Sequence, residues 1–305
     1  MIIIYLELIF MVLVWGFSFV VVHIASEFIP PLSIALYRFI IASIAFIIID
    51  LYLKLKNRYI PYKNKERIKF SKKNWIYILL ASFTGVSFFF FAQYSAIQII
   101  GPSLPALFVC LLAPVIIASL ALIFFKEKLN LSKIIGFVIA TIGGFLLITG
   151  GNLENLKPTS PNFLGYIFAL ITPFLWAFYT ILTKKASKDQ SNMVMLKYIA
   201  YLGTFELLIF VLINNEFWIF VLNFLNIILF LCALYTGIIC YVIGYFIWQN
   251  SQSKLKSSKV ASFLYVEPFI TLLFSILFKR IETILIWNII GGVIVLIAVL
   301  IINYK

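Results

Sequence analysis

Charge is the scarcest commodity in this chain. Only 11% of its 305 residues are Asp, Glu, Lys or Arg, against 64% hydrophobic, and the mean hydropathy is +1.10. Soluble domains run at about a quarter charged and about half apolar, so a soluble fold is excluded. Histidine occurs once, at His23, and cysteine three times, at Cys110, Cys232 and Cys240, with no paired or metal-ligand spacing. No zinc constellation can be built from that set, and the cysteines read as small hydrophobes. A phosphate-binding loop of the form G-x-x-x-x-G-K-[ST] is missing too, so the chain does not itself draw on ATP. Neither cofactor nor metal is expected.

What the chain has in excess is aromatic and aliphatic bulk: 32 Phe, 16 Tyr and 6 Trp, the reverse of a disordered composition. Ten runs are long enough to cross a bilayer, at about 2–24, 31–53, 75–98, 102–125, 132–150, 163–183, 193–213, 226–250, 257–278 and 283–303. They are continuous rather than alternating, which disfavours a membrane β-barrel. The first lacks a basic leader and is too long for a signal peptide, so it reads as an uncleaved span. Residues 214–226, apolar but broken by Asn and Glu216, read as an interfacial segment.

The net charge of +13 comes from 24 basic and 11 acidic residues. Nine of the cations fall between Lys54 and Lys73, between two apolar runs. With the N-terminus inside, inner loops and ends hold 20 Lys and Arg, and the outer side only Lys157, Lys279 and Arg280. The positive-inside rule then places both termini in the cytoplasm of a multi-pass cell-membrane protein. The basic loop faces anionic lipid rather than nucleic acid.

The second half echoes the first. Ser103 precedes Pro114 by eleven positions, as Ser257 precedes Pro268; Glu127 precedes Gly136 by nine, as Glu282 precedes Gly291. Thr84-Gly85 stands fourteen before Gln98, and Thr236-Gly237 fourteen before Asn250, counted from each threonine. Trp15-Gly16-Phe17 is answered by Trp176-Ala177-Phe178. Five spans per copy is an odd number, so the second copy enters the membrane inverted. The expectation is an all-α membrane protein of ten transmembrane helices in two inverted five-helix units, residues 1–151 and 152–305. Inverted repeats are a transporter architecture that works by alternating access.

Trp15-Gly16, Tyr37-Arg38-Phe39 and the proline-then-glutamate ends of the fourth and ninth spans resemble the EamA group of drug/metabolite transporters, above all Val266-Glu267-Pro268 through Glu282 to Gly291-Gly292. The resemblance covers essentially the whole chain as two repeats. It implies a ten-helix carrier, commonly an exporter of amino acids, other small metabolites or drugs. The first repeat departs from the second at Ala113, which stands where Glu267 does.

Candidate site residues follow from polarity inside spans. Thr84, Ser87, Phe91, Tyr94, Ser95 and Gln98 share one face of the third span at 100° per residue, with Gln93 opposite; such a stripe lines a cavity or bonds another helix. Asn250 ends a weaker stripe through Thr236, Cys240, Ile243 and Ile247 in the eighth. Trp15 and Trp176 lie too deep for an interfacial belt, and with Ser18 and Tyr179 could wall a cavity. Pro114 and Pro268 are expected to kink their helices and free the Cys110 and Leu264 carbonyls, as hinges. Glu267, Glu206 and Glu7 are intramembrane carboxyls, hence candidates for substrate binding or proton coupling; Glu7 resembles the first-span glutamate of small multidrug-resistance relatives. Arg38 and Lys197 read as anchors, Arg38 snorkelling outward. Asp50 is expected to pair with Lys54, and Glu127 and Glu282 to organise tight turns. A stripe of Gly136, Ala140 and Gly144 is expected to pack on the tenth span.

The leading reading is therefore a secondary transporter of a small molecule in a lipid bilayer, with protons as a candidate coupling ion, working as a monomer or weak homodimer. The alternatives are a membrane-embedded enzyme, which would want clustered catalytic groups, and a receptor or scaffold, against which the inverted repeats argue.

Overall fold

The computed structural model describes residues 2–59, 71–125, 131–151, 157–187, 191–280 and 284–303. Among these the structure is helical throughout, with no strand. A backbone in hydrocarbon must satisfy its own N–H and C=O groups, which a helix does within one segment. The helices are α1 (Ile2–Ala25), α2 (Pro31–Tyr59), α3 (Lys72–Ser82), α4 (Phe88–Ile100), α5 (Ser103–Phe125), α6 (Leu131–Thr149), α7 (Phe163–Ala186) and α8 (Asn192–Ile213). They continue with α9 (Phe217–Asn223), α10 (Ile227–Leu234), α11 (Phe246–Lys254), α12 (Ser257–Ala261), α13 (Glu267–Leu277) and α14 (Ile286–Asn303).

Three joints between these helices are not α-helical. A π-helical stretch, Phe83–Ser87, links α3 to α4, a longer one, Tyr235–Tyr245, links α10 to α11, and a 3-10 stretch, Ser262–Val266, links α12 to α13. Counted across those joints, eight helices among the described residues are long and apolar enough to cross a membrane. The helices α6 and α14 pack on each other as a pair outside that count. The short α9 sits in the expected interfacial segment and leaves Trp218 and Leu222 exposed.

Local chemistry sets several ends. Pro31 begins α2, where its missing N–H costs nothing, and Glu216 reaches that end to accept from the Ser33 N–H and hydroxyl. Ser71 caps α3 by accepting from the Asn74 N–H, and Asn226 caps α10 through Ile228 and Leu229. Gly101 closes α4 at a φ of +79°, a conformation that favours glycine.

Several expectations need correction. Arg38 does not snorkel: it is 3% exposed and turned inward. Asp50 pairs with Lys197 at 2.8 Å rather than with Lys54, tying α2 to α8. A side chain on Gly143, not Gly144, would strike the Gly291 carbonyl, at 2.9 Å, and Gly144 faces Leu112 of α5 instead. Pro114 stays inside an unbroken α5, whereas Pro268 stands in the first turn of α13, and Leu264, four residues before it, lies in the 3-10 stretch that interrupts the span. The Leu264 carbonyl is not free either, because it accepts from the Glu267 N–H. Glu127, Glu282 and the heart of the basic loop, residues 60–70, lie outside the described residues.

Candidate functional site

The interior of the bundle is an aromatic cluster built by both halves. Trp15 of α1 meets Trp176 of α7 edge to face at 5.5 Å, Tyr245 at 5.5 Å and Trp248 of α11 at 5.9 Å. Trp176 also stacks on Tyr179 at 5.1 Å and touches Phe89 at 5.4 Å. Its depth obliges the Trp15 indole to find a partner, and its N–H donates to the Cys240 carbonyl at 2.9 Å. That acceptor sits in the second π-helical stretch, and Gly244 of the same stretch admits the indole edge: a Cβ there would lie 2.4 Å from Trp15 Nε1.

Against this cluster lies a cavity lined by Trp15, Ser18, Arg38, Gln93, Trp176 and Glu267, with Phe89, Phe90, Cys110 and Tyr245 among the remaining walls. Its free space is about 40 Å³, room for roughly three water molecules. Two ionisable side chains of opposite type, Arg38 and Glu267, enter it from different helices. The Arg38 guanidinium donates to the Tyr94 hydroxyl at 2.7 Å and lies 4.1 Å from the Phe90 ring centre, a cation–π contact. Its Nε has no partner. Glu267, 3% exposed, stands at the start of α13 with the Cys110 thiol in hydrogen-bonding reach, and its Oε2 has no partner. It is brought beside Trp15 by backbone contact: a Cβ on Gly16 would lie 3.0 Å from the Glu267 carbonyl. Thr271 ties the same joint, donating to the Gly16 carbonyl at 2.8 Å.

Of the residues expected from sequence, Trp15, Ser18, Trp176 and Glu267 line this cavity. Tyr179 lies beneath it and accepts from Gln249 at 2.7 Å. The third-span stripe disperses. Thr84 turns its hydroxyl onto the Leu80 carbonyl, Ser87 donates to Glu206 at 2.6 Å, and Tyr94 serves Arg38. Ser95 is buried outside the lining and Gln98 is exposed. Asn250 and Glu7 are half-buried and also outside the lining. Glu206 is held by Ser82 and Ser87 at 2.7 and 2.6 Å, against the first π-helical stretch.

Gln93, Phe89, Phe90, Arg38 and Tyr245 are among the lining residues that helical periodicity missed. A π turn carries an extra residue, so side chains beyond it are rotated by about one residue step, roughly 100°, from where an unbroken α-helix would put them. That carries Gln93 to the inside and Gln98 out. Arg38 was legible as a cation inside a span, but its direction was not.

A family model described as the EamA-like transporter family matches residues 2–149 and 163–304. Among relatives, an uncharacterized transporter of Archaeoglobus fulgidus is 25% identical over 268 residues, 86% of this chain and 84% of that protein. The uncharacterized transporter YyaM of Bacillus subtilis is 24% identical, over 93% of this chain and 88% of its own length. Solute carrier family 35 member F5 of Bos taurus is 28% identical over 127 residues, 40% of this chain and 23% of that protein. A solved crystal structure superposes with a TM-score of 0.64 at 14% identity, over 98% of this chain and 96% of that one, a likeness of fold.

Proposed function

Starting from the EamA-like transporter family, to which this chain belongs, we propose that it is a secondary transporter that carries a small zwitterionic metabolite of the amino-acid type by alternating access. The protein is a multi-pass membrane transporter; direction, substrate and coupling are our assignment. So are the ten-span count, with α6 and α14 completing it, the inverted units 1–151 and 152–305, the cytoplasmic termini and export as the direction.

One observation carries the reading. Arg38 and Glu267 are buried in one aromatic-walled cavity, and each leaves a polar atom unpartnered. Two desolvated charges facing a shared space are costly unless something of the opposite signs fills it. A solute with a carboxylate and an ammonium meets both at once, and the rings of Trp15, Trp176 and Phe89 accept its apolar part. In the empty carrier Glu267 can instead take up a proton, which would couple flux to a pH gradient.

The test is flux of an amino-acid panel in proteoliposomes containing only this protein. Arg38→Met and Glu267→Gln are each expected to slow flux between about tenfold and a hundredfold, the ~1.5–3 kcal/mol of a hydrogen bond to a charged group. Flux in Glu267→Gln should also lose its response to an imposed pH gradient. Parent-like flux in both variants would remove the zwitterion reading.

A further inference from the structure

Beneath the tryptophans lies a second concentration of unsatisfied polar groups. On α11 the Trp248 indole nitrogen, Gln249 Oε1, Ser251 Oγ and both side-chain polar atoms of Gln252 are buried without a partner, and on α7 so is Thr180 Oγ1. None of these five residues is more than 2% exposed. The two helices meet along one seam: Trp176 and Trp248 touch at 5.4 Å, and Gln249 donates to Tyr179. Thr180 adjoins Tyr179, and Gln252 follows Gln249 by three residues, on the same side of α11, whereas Ser251 is two residues from Gln249 and lies on the other side. At the basic end Lys184 crosses the seam, donating to Ser257 Oγ at 2.7 Å and to the Leu255 carbonyl at 3.4 Å. Thr180, Gln249, Ser251 and Gln252 are absent from the walls of the Arg38–Glu267 cavity, so the seam is a separate place.

A buried donor or acceptor left unmade costs about 1–3 kcal/mol, and native interiors leave few of them. A seam with this many is satisfied only when something polar enters it. The groups are amides, hydroxyls and an indole, with no charge among them. They can hydrogen-bond a carboxylate, an ammonium or water, but without the ionic attraction of Arg38 and Glu267, which suits release rather than capture.

We propose that the α7–α11 seam is a second, charge-free site on the solute path, filled by water and transiently by the hydrogen-bonding groups of the departing zwitterion. It rests on the transport reading above for its solute, and on the buried polar groups alone for its water.

A near-isosteric cysteine tests it. Thr180→Cys, in protein held in lipid nanodiscs, is exposed to a small hydrophilic methanethiosulfonate, and modification there is read by mass spectrometry. Modification is expected at least about tenfold faster than at Ile181→Cys, a buried apolar neighbour on α7, because only a seam that opens to water admits the reagent. In parallel, Gln252→Leu should slow flux about tenfold while solute-induced quenching of tryptophan fluorescence stays as in the parent. Labelling no faster than the control would overturn the site, even where flux is intact. Fast labelling in a protein that carries no solute would overturn transport and leave the hydrated seam standing. Parent-like flux in Gln252→Leu would overturn passage of the solute through it.

Discussion

Thr84-Gly85 in the first repeat and Thr236-Gly237 in the second each sit at the second and third residues of a π-helical stretch. In both, the threonine hydroxyl bonds the carbonyl four residues back at 2.7 Å, a local competitor that bends helices. In both, the glycine admits the opposite repeat: a Cβ on Gly85 would lie 2.0 Å from the Tyr179 ring, and one on Gly237 2.6 Å from the Arg38 carbonyl. There the likeness ends. The first stretch is 5 residues long and is bracketed by Glu206, bonded to Ser82 and Ser87. The second runs for 11 residues, has no acid hydrogen-bonded to it among the described residues, and gives its Cys240 carbonyl to Trp15. The same dipeptide thus starts the same irregularity twice, and the neighbouring helix decides how far it goes.

The glycines should show the largest effects. Gly237→Ala and Gly85→Ala are each expected to lose about 3 kcal/mol, the upper range for overpacking, since one must move backbone and the other a ring wedged between Trp176 and Tyr245. Thermal unfolding in detergent measures this. A loss confined to one of the two would end the equivalence of the repeats.

Glu206 sharpens the difference rather than the likeness. Ser82 Oγ lies 2.7 Å from its carboxyl and 2.8 Å from the Leu79 carbonyl, so the node needs a group that can both donate and accept. Glu206→Gln should therefore be nearly silent, while Glu206→Leu loses about 2 kcal/mol. Amide hydrogen exchange across Phe83–Ser87 should rise in the leucine variant and stay unchanged across Tyr235–Tyr245. A rise in both stretches would mean that the acid is not what limits the shorter one.

A smaller loss than that of Glu206→Leu belongs to Trp15→Phe, which removes the donor to Cys240 but keeps an aromatic wall. About 1 kcal/mol is expected, with exchange rising in the second stretch alone. A larger rise in the first would contradict the pairing seen here.

Legibility followed distance along the chain. Trp15, Trp176 and Glu267 are legible because each is anomalous by itself: an indole or a carboxyl far from the interface must have a reason to be there, and Ser18 follows Trp15 by three positions on the same face. The third-span stripe was assigned by counting angles, and counting assumes an unbroken α-helix. Phe83–Ser87 breaks that assumption between Thr84 and the residues it was grouped with. Pro268 marks an irregular place that is legible in the sequence: the 3-10 stretch Ser262–Val266 lies in the turn just before it and includes Leu264, four residues back.

By itself the sequence determined the solvent and the elements. With 64% hydrophobic and 11% charged residues no aqueous fold is available, and long apolar runs in lipid must be helical. It also determined the two repeats, since matched spacings survive in the order of residues alone. Only the tertiary structure decided which way each helix turns. That Arg38 points to Tyr94 rather than to the membrane surface, that Gln93 faces the cavity and Gln98 does not, and that Gln249 of α11 reaches Tyr179 of α7 all depend on rotation about a helix axis. In an apolar solvent nearly every face of a helix reads as hydrophobic, so local pattern carries little phase. The phase is set by packing partners and by irregular turns, which a count along one span does not contain.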